Sequence, residues 1–464
     1  MTELRGRRVL VMGLGLFGGG CGAVRFLCRQ GAQVTVTDLR QAEALAESLR
    51  DLEGLPVRYK LGGHDVRDFR NTDLVVANPA VPRSSPYLQA AEAAGVPVTT
   101  EICLFVSRCP SQIVGVTGTS GKTTTTSLIA EMLRRRDART LVGGNIGGSL
   151  LDRLDEMAPD TPVVLELSSF QLDRLGDMGW SPHVAVVTNF APNHLDAHGS
   201  LDAYRNAKRQ IVAHLREGDA AVLNGDDAEV AGWGGAGGAT RVTFSLARMP
   251  AHGVFVRDGD IRHTLVGVAR TVCPATDLRL PGRHNLANAL AAAGAALCCG
   301  IPEPDIAEAL RRFAGVAHRL EHVVEIGGVH YHNDSIATSP DRTRVALEAF
   351  PGRIVLIAGG YDKGLAFDEL GPVIGQKVSH LILMGETADA IAAAVAGDAA
   401  TRVHRAAALN DAVITAARVA RPGDVVLLSP ASASYDMFRN FEERGNLFRR
   451  LVLSLAQKGA VECR

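Results

Sequence analysis

The chain has 464 residues, which at about 150 residues per domain predicts about three domains. Lys and Arg number 49 against 50 Asp and Glu, so the chain lacks the positive charge expected of an obligate nucleic-acid-binding protein. With 46% apolar and 21% charged residues, the composition is that of a globular protein and excludes disorder as the main state.

The sequence shows no recognisable targeting or membrane signal. Its first residues, MTELRGRRVLVMGLG, lack the apolar region and the cleavage site of a signal peptide. The longest apolar stretch, 286–301, is Ala-rich and shorter than the roughly 20 residues of a membrane-spanning helix. The eight cysteines are scattered and form neither a disulfide framework nor a zinc pattern. We therefore expect a cytoplasmic protein without a membrane span.

Apolar strand-like runs alternate with helical stretches along the chain, which is the rhythm of parallel sheets covered by helices. The pattern predicts an α/β protein with three domains, a Rossmann-like domain over 1–100, a central α/β domain over 101–315 and a Rossmann-like domain over 316–464. The predicted strands are 8–12, 33–37, 74–77, 113–116, 163–165, 184–187, 354–358, 381–384 and 425–428.

A glycine-rich fingerprint follows the first predicted strand. Gly13-Leu-Gly15-Leu-Phe-Gly18 opens a helix, and Asp38 ends the next strand at the distance typical of a dinucleotide-binding motif. Glycines let the backbone approach a phosphate, and the carboxylate can accept from a sugar hydroxyl or a base N–H. Any nucleotide diphosphate meets these requirements, and a tight turn with a purely structural role is the alternative. The motif therefore leaves the nucleotide open.

A phosphate-binding loop, Thr117-Gly-Thr-Ser-Gly-Lys122-Thr123, lies between the strand 113–116 and a helix. Its backbone N–H groups can cradle phosphates, Lys122 supplies a charge to the β and γ phosphates, and the Thr123 hydroxyl can bind Mg²⁺. Val116 stands where the usual pattern has its first glycine. The loop predicts that the central domain is a P-loop ATP-binding domain.

Three further residues have a functional and an ordinary interpretation. Glu166 ends an apolar strand, where ligands collect in parallel sheets, and could hold Mg²⁺ opposite Thr123 or could be a surface or helix-capping residue. His194 also follows a strand and is either a metal ligand or a histidine at the edge of the core. Lys208 lies on an amphipathic helix, where a lysine is usually solvated.

The order of the motifs resembles the Mur ligase family, which consists of three-domain, ATP-dependent amino acid ligases of peptidoglycan precursor synthesis. The chain looks most like the branch that adds D-glutamate to UDP-N-acetylmuramoyl-L-alanine, because the Asp-Asn-Pro-type signature of the siblings that add a diamino acid is missing. The motifs that carry the resemblance are GTSGKTTTT, GGNIG, ELSSFQL, NHLDAH, YRNAK, PGRHNLANAL, AHRLE, NDSIATSP, GGYDK and LSPASASYDMFRNFEERGNLF.

The resemblance implies a role for the residues that match each motif. It implies catalytic roles for Lys122, Glu166, His194 and Lys208. The ATP-binding residues would be Gly118, Thr119, Ser120, Gly121, Lys122, Thr123, Thr124, Asn285, Asn288, Arg319 and Asp334. The UDP-substrate-binding residues would be Leu16, Phe17, Asp38, Leu39, Arg40, Asn145, Ser168 and His194. The incoming glutamate would be held by Thr338, Lys363, Ser434 and Phe441.

The resemblance also implies the cofactors and partners. ATP and two Mg²⁺ ions are expected, with Thr123, Glu166, His194 and Lys208 as metal ligands and a carbamate on Lys208 that turns an ammonium into an anion. The expected partners are the small-molecule substrates UDP-N-acetylmuramoyl-L-alanine, D-glutamate and ATP. The chain is expected to act as a monomer, with no nucleic acid.

Two positions depart from the family pattern. Many members read Asp-Ser-Lys-Ala-Thr where this chain has Ile336 in place of the lysine. Either Lys363 or Arg342 supplies the missing charge, or the amino acid pocket differs from that of the family. Tyr361-Asp362-Lys363 stands where an Asp-Gly-Lys order is common. The alternatives to the ligase are a nucleotide-binding redox or regulatory protein, or the same chemistry with L-glutamate or a folate tail as acceptor.

Overall fold

The computed structural model describes residues 3–14, 19–79, 81–192, 198–234, 237–280, 282–395 and 401–462. The chain forms two compact units, the first ending at Phe313 and the second beginning at Ala314. Two of the three sheets lie in the first unit and the third sheet lies in the second unit. The predicted three-domain α/β architecture is confirmed.

The first sheet is parallel and has the strand order β3-β2-β1-β4-β5. This is the dinucleotide-binding order, whose ligand crevice lies where the strand order reverses, between β1 and β4. Its elements are β1 (Arg8–Met12), α1 (Gly19–Arg29), β2 (Gln33–Asp38), α2 (Ala46–Arg50), β3 (Val57–Leu61), α3 (Val66–Arg70), β4 (Leu74–Ala77), α4 (Pro86–Ala93), β5 (Val98–Thr100) and α5 (Glu101–Val106).

The second sheet has nine strands in the order β14-β13-β12-β11-β10-β9-β6-β8-β7, parallel from β7 to β12 and antiparallel beyond β12. Its first elements are β6 (Ile113–Thr117), α6 (Lys122–Arg134), β7 (Leu141–Gly144), a 3₁₀ helix (Leu150–Glu156), β8 (Val163–Glu166), α7 (Ser169–Asp177), β9 (Val184–Val187) and α8 (Leu201–Ala213). The others are β10 (Ala220–Asn224), β11 (Thr240–Ser245), β12 (Gly253–Arg257), β13 (Asp260–His263), β14 (Arg270–Pro274), α9 (Arg283–Cys298) and α10 (Glu303–Arg312).

The third sheet has the order β15-β16-β20-β17-β18-β19, with an antiparallel hairpin at one edge and parallel pairing elsewhere. Its elements are β15 (Glu321–Ile326), β16 (Val329–Asn333), α11 (Pro340–Glu348), β17 (Ile354–Ala358), α12 (Leu370–Lys377), β18 (Val378–Leu383), α13 (Ala388–Val395), β19 (Arg402–Arg405), α14 (Leu409–Val419), β20 (Val425–Leu428) and α15 (Phe441–Glu462).

All nine predicted strands are present, and their ends agree within one residue except at β18, which begins at Val378 rather than Leu381. These strands are aliphatic runs because helices cover both faces of a parallel sheet, so most side chains along a central strand are buried. None of the described helices combines the length and the apolar character that crossing a membrane requires.

Three histidines share one face of the β15–β16 hairpin. His322 lies directly opposite His332, with ring centroids 5.0 Å apart, and His330 lies two residues before His332 on the same face. The pKa of His332 is lowered to about 4, chiefly by burial and also by the two neighbouring imidazoles. The carbonyl of Leu320 opposes this shift.

We expect His332→Phe to weaken the acid sensitivity of the second unit. The folded pKa of about 4 lies below the unfolded value of about 6.5, so the folded state binds fewer protons between these pH values. The wild-type protein should therefore lose stability as the pH falls from about 6.5 to about 4, and the variant should lose less. Calorimetric melting temperatures across this range measure the effect, and parallel curves for the two proteins would contradict it.

Candidate functional site

The loop between β6 and α6 has a backbone that only glycine adopts readily. Gly118 and Gly121 have φ values of 151° and 78°, in the region that side chains disfavour. A Cβ atom on Gly118 would overlap Thr188 Oγ1, and one on Gly121 would overlap Asn288 Oδ1. The loop is therefore enclosed by neighbouring side chains as well as by its own conformation.

The segment that follows β9 holds this loop in place. Thr188 Oγ1 donates to the carbonyl of Ser120 at 2.6 Å, and the backbone N–H of Ser120 donates to Asn189 Oδ1 at 2.9 Å. The N–H of Thr119 donates to the carbonyl of Asn189 at 3.1 Å. Sequence reasoning did not single out Thr188 or Asn189, because the sequence does not reveal that β9 pairs with β6.

Two lysines converge on one carbonyl oxygen of the loop. The Nζ atoms of Lys122 and Lys208 donate to the carbonyl of Gly118 at 3.0 and 2.8 Å. Lys208 is buried, and its Nζ lies 5.0 Å from the centre of the Tyr204 ring. The pKa of Lys208 is lowered to about 6, chiefly by burial and also by the charge of Lys122, and Glu166 opposes the shift. Lys208 is thus not the solvated lysine that its helix alone suggests.

Tyr204 is a further site residue that sequence reasoning missed. It lies one helical turn before Lys208 on α8, so the two side chains share a face of the helix. Its hydroxyl is 3.2 Å from Thr119 Oγ1, which joins the lysine helix to the phosphate-binding loop. The i, i+4 spacing within YRNAK was the signal that could have identified it.

Glu166 ends β8 and points into the same region. Its Oε1 atom accepts from Asn145 Nδ2 at 2.9 Å, and only 2% of the residue is exposed. The buried Oε2 atom has no hydrogen-bond partner among the described residues. A buried carboxylate oxygen without a partner is costly unless a cation completes its contacts, so Glu166 fits a role as a ligand of a hard metal ion.

The other residues predicted at the nucleotide in the first unit lie near this loop. Thr123 and Thr124 begin α6 and are buried. Asn288 on α9 adjoins Gly121 and donates through Nδ2 to Asn285 Oδ1 at 3.5 Å. No group of three His, Cys, Asp or Glu residues suited to a metal occurs in the described part of the chain. His194 lies outside the described residues.

The predicted UDP end is organised around Asp38. Its Oδ2 atom accepts from the N–H of Leu14 at 2.9 Å and its Oδ1 atom from the N–H of Arg40 at 2.9 Å. The carboxylate therefore ties the end of β2 to the start of the glycine fingerprint. Leu39 between them is exposed. Leu16 and Phe17 lie outside the described residues.

Ser168, also predicted at the UDP substrate, has a structural role in the fold. It is the N-cap of α7, and its side chain and that of Gln171 form a reciprocal capping box. Its hydroxyl also donates to Gln171 Oε1 at 3.2 Å. This geometry explains the serine locally and leaves its contact with a substrate as a prediction.

In the second unit, the residues predicted to hold glutamate come from three loops at one edge of the sheet. Thr338, Ser434 and Lys363 follow β16, β20 and β17, which are adjacent parallel strands. Lys363 Nζ lies 5.7 Å from the centre of the Tyr435 ring. The carboxyl ends of such strands are the usual place for ligands. Phe441 begins α15, and its carbonyl accepts from Ser335 Oγ at 2.8 Å.

A buried guanidinium, which sequence reasoning missed, joins two of these loops. Arg444 is fully buried, and its Nη2 donates to the carbonyl of Ser335 at 2.9 Å. Its Nη1 donates to the carbonyls of Ser432 and Ala433 at 3.2 and 3.0 Å. Burial lowers the pKa of Arg444 to about 9, and Asp436 opposes this shift. An arginine on a long helix gives no sequence signal of such burial.

Asp334 and Arg319, predicted at the nucleotide, also lie in the second unit. Asp334 is buried and accepts from the N–H of Leu320 at 3.1 Å and from Ser429 Oγ at 2.9 Å. Burial raises its pKa to about 7, against the opposing effect of these hydrogen bonds and of Arg319 and Arg342.

The chain is similar to known proteins over nearly its whole length. Three family models match the chain, described as Mur ligase MurD-like N-terminal domain (residues 7–100), Mur ligase middle domain (116–296) and Mur ligase, glutamate ligase domain (318–432). A UDP-N-acetylmuramoylalanine--D-glutamate ligase of Roseiflexus sp. (strain RS-1) is 45% identical, with 97% of this chain and 99% of that protein aligned. The ligase of the same name from Pelotomaculum thermopropionicum is 44% identical, with 98% and 99% aligned.

Solved structures share the fold at lower identity. UDP-N-acetylmuramate-alanine ligase MurC from Thermotoga maritima superposes with a TM-score of 0.58 at 21% identity, covering 97% of this chain and 99% of that chain. This likeness shows that the three-domain architecture is common to the two proteins.

We expect Gly121→Ala to weaken ATP binding at least about tenfold. The left-handed backbone of Gly121 disfavours a side chain by about 1–2 kcal/mol, and the new methyl group would also displace Asn288. Titration with a non-hydrolysable ATP analogue measures the change. Gly234→Ala is the matched control, because no atom lies within 4 Å of its added Cβ. Equal affinities in the two variants would contradict the expectation.

Proposed function

The chain belongs to the Mur ligase family, and from that premise we propose that it joins D-glutamate to UDP-N-acetylmuramoyl-L-alanine at the expense of ATP. The observation that carries the proposal is the convergence of Lys122, Lys208 and the buried carboxylate of Glu166 on the P-loop. This site is suited to a triphosphate. The named relatives align with nearly the whole chain, which supports the same acceptor and the same amino acid.

The reaction proceeds in two steps. A carboxylate oxygen of UDP-N-acetylmuramoyl-L-alanine attacks the γ-phosphorus of ATP, the bond to the β-phosphate oxygen breaks, and ADP and an acyl phosphate form. The glutamate amine then attacks the acyl carbon, loses a proton and displaces phosphate, which leaves an amide. Both steps place negative charge on oxygen atoms, so positioning and electrostatic stabilisation supply the catalysis.

The P-loop residues are proposed to have the roles that the sequence predicts. The backbone from Gly118 to Gly121 cradles the phosphates, and Lys122 neutralises charge on the β and γ groups. Thr124, Asn285 and Asn288 complete the nucleotide site from the first unit. Arg319 and Asp334 are proposed as nucleotide contacts from the second unit.

Thr123, Glu166, His194 and Lys208 would hold the Mg²⁺ ions, two of which are proposed. The partnerless Oε2 atom of Glu166 supports this assignment, because a carboxylate oxygen is a preferred magnesium ligand. When bound, the ions offset the charge that develops on the phosphoryl oxygens. Asn145 orients the carboxylate by donating to Oε1.

We propose that Lys208 carries a carbamate. Burial beside Lys122 favours the neutral amine, whose nitrogen forms a bond to the carbon of CO₂ and loses one proton. The product is an anion in the place where a second ammonium is unfavourable. The carbamate anion on Lys208 would then attract the ammonium of Lys122, where two ammonium groups would repel each other.

The substrate residues are proposed in the same way. Those for the UDP substrate are Leu16, Phe17, Asp38, Leu39, Arg40, Asn145, Ser168 and His194. Those for glutamate are Thr338, Lys363, Ser434 and Phe441. Arg342 is the better candidate for the charge that Ile336 lacks, because its Nη1 donates to the carbonyl of Ile336 at 3.1 Å.

Further proposals concern the setting of the reaction. The chain is proposed to act as a monomer. A cytoplasmic location is proposed because ATP and UDP-activated sugars are available there.

Phosphate release from ATP tests the proposed function. With Mg²⁺ and UDP-N-acetylmuramoyl-L-alanine, we expect release to depend on D-glutamate and to stay at background with L-glutamate or with no amino acid. The reason is that the acyl phosphate turns over only when the amine acceptor is bound. Release stimulated by L-glutamate alone would assign the opposite stereochemistry, and release independent of any amino acid would contradict the ligase.

We expect Lys208→Ala to reduce turnover by about a hundredfold or more, because a metal ligand is lost. Short carboxylic acids such as acetate should restore part of the activity by supplying the missing carboxylate. Arg209→Ala on the exposed face of α8 is the matched control and should retain wild-type activity. A carbamate carbon signal from ¹³C-bicarbonate, seen by NMR in the wild-type protein and missing in Lys208→Ala, would identify the modification. Full activity of Lys208→Ala would remove Lys208 from the mechanism.

A further inference from the structure

A cluster of charged side chains joins α1 of the first sheet to the 3₁₀ helix of the second. Arg25 donates to Asp152 Oδ2 through Nε at 2.9 Å and through Nη2 at 2.6 Å. Arg29 donates to Asp152 Oδ1 at 2.9 Å. We call Arg25, Arg29 and Asp152 the domain clamp. One carboxylate thus receives two guanidinium groups, a stronger arrangement than a single exposed ion pair.

The backbones beneath the domain clamp approach as closely as glycine allows. A Cβ atom on Gly22 of α1 would overlap Ser149 Cβ, so any larger residue would push the helix away. Ser149 caps the 3₁₀ helix and its hydroxyl donates to Glu101, the first residue of α5. The pKa of Glu101 is raised to about 7, chiefly by burial, while the hydrogen bond from Ser149 opposes the shift and Asp152 adds to it. The two elements are therefore held by packing and by charge.

Both sides of the domain clamp lead to a substrate site. On one side, α1 begins at Gly19, directly after the glycine fingerprint. On the other side, the 3₁₀ helix follows the segment that contains Asn145, whose side chain donates to Glu166. Along the chain, the domain clamp therefore lies between the predicted UDP site and the predicted metal ligand.

We propose that Asp152 is a positioning residue, which fixes the UDP-binding domain against the nucleotide-binding domain so that the substrate carboxylate meets the γ-phosphate. The inference rests on the proposed function. Reacting atoms must approach to about 3–3.5 Å, and a misplacement of about 1 Å costs about a hundredfold in rate. None of the domain clamp residues is assigned to a substrate or a metal ion, so loss of the clamp should change the rate of the chemical step and leave each substrate's own pocket intact.

The test separates turnover from binding. In Asp152→Ala, we expect kcat to fall about tenfold to a hundredfold. The dissociation constant for the UDP substrate without nucleotide, and that for a non-hydrolysable ATP analogue without UDP substrate, should each stay within about threefold of wild type. Asp152→Asn keeps the shape of the side chain and weakens the ion pairs, so we expect a smaller loss of kcat. This variant serves as the test if Asp152→Ala folds poorly.

A double-mutant cycle shows whether the effect passes through the ion pair. Arg25→Ala should cost little further activity when Asp152 is already alanine, because the interaction is then gone. Arg153→Ala is the matched control, since the pair of Arg153 with Glu156 on the same 3₁₀ helix is exposed. It should retain wild-type kcat.

Each outcome decides the proposal. Unchanged kcat in both Asp152 variants, in a wild-type background that is active, would overturn it. A fall in kcat accompanied by an equal loss of either binary affinity would also overturn it, and would assign Asp152 to the fold of one pocket. If the wild-type protein itself shows no glutamate-dependent phosphate release, the proposed function has failed. The positioning role rests on that function and then fails with it, whereas unchanged kcat in an active background counts against the positioning role alone.

Discussion

The hydrogen bonds that two lysines donate to the carbonyl of Gly118 are the interaction around which the first unit is arranged. Two ammonium groups on one oxygen would repel each other, and burial beside Lys122 therefore lowers the pKa of Lys208 and favours its neutral amine. The nearby carboxylate of Glu166 balances only part of the charge. Triphosphate oxygens and a carbamate on Lys208 would supply the remaining negative charge. The positive charge of the site would therefore be balanced only when these anionic groups are present.

Adjacent strands bring these groups together, and only some of this could be predicted from the sequence. The P-loop and Glu166 were identifiable because each directly follows an apolar strand, and β6 and β8 are neighbours in the sheet. Asn189 gave no comparable signal, since an asparagine after a strand is common in turns. Its role depends on the pairing of β9 with β6, which the sequence does not reveal. The hydrogen bond between Asn145 and Glu166 likewise joins segments that only the folded sheet brings together.

The strands also differ in how far they could be predicted from the sequence. The nine predicted strands are largely aliphatic runs, and all but β18 were predicted to within one residue, because burial on both faces leaves few polar positions. The edge strands β3 (VRYKL) and β19 (RVHR) were not predicted, because charged residues interrupt their apolar pattern. Charged edge strands also discourage pairing with other chains. Solvent exposure thus accounts for the omission of β3 and β19, although the buried strand β10 was also not predicted.

In the second unit, the charged residues around buried Asp334 include one that lies between two disfavoured backbone conformations. His318 and Leu320 have φ values of 63° and 44°, which side chains disfavour, and they flank Arg319. The N–H of Leu320 donates to buried Asp334, whose pKa burial raises while Arg319 and Arg342 oppose the shift. The guanidinium of Arg342 also donates to the carbonyl of Ile336. Because this charge comes from α11, replacing a lysine with isoleucine at 336 leaves positive charge beside Asp334.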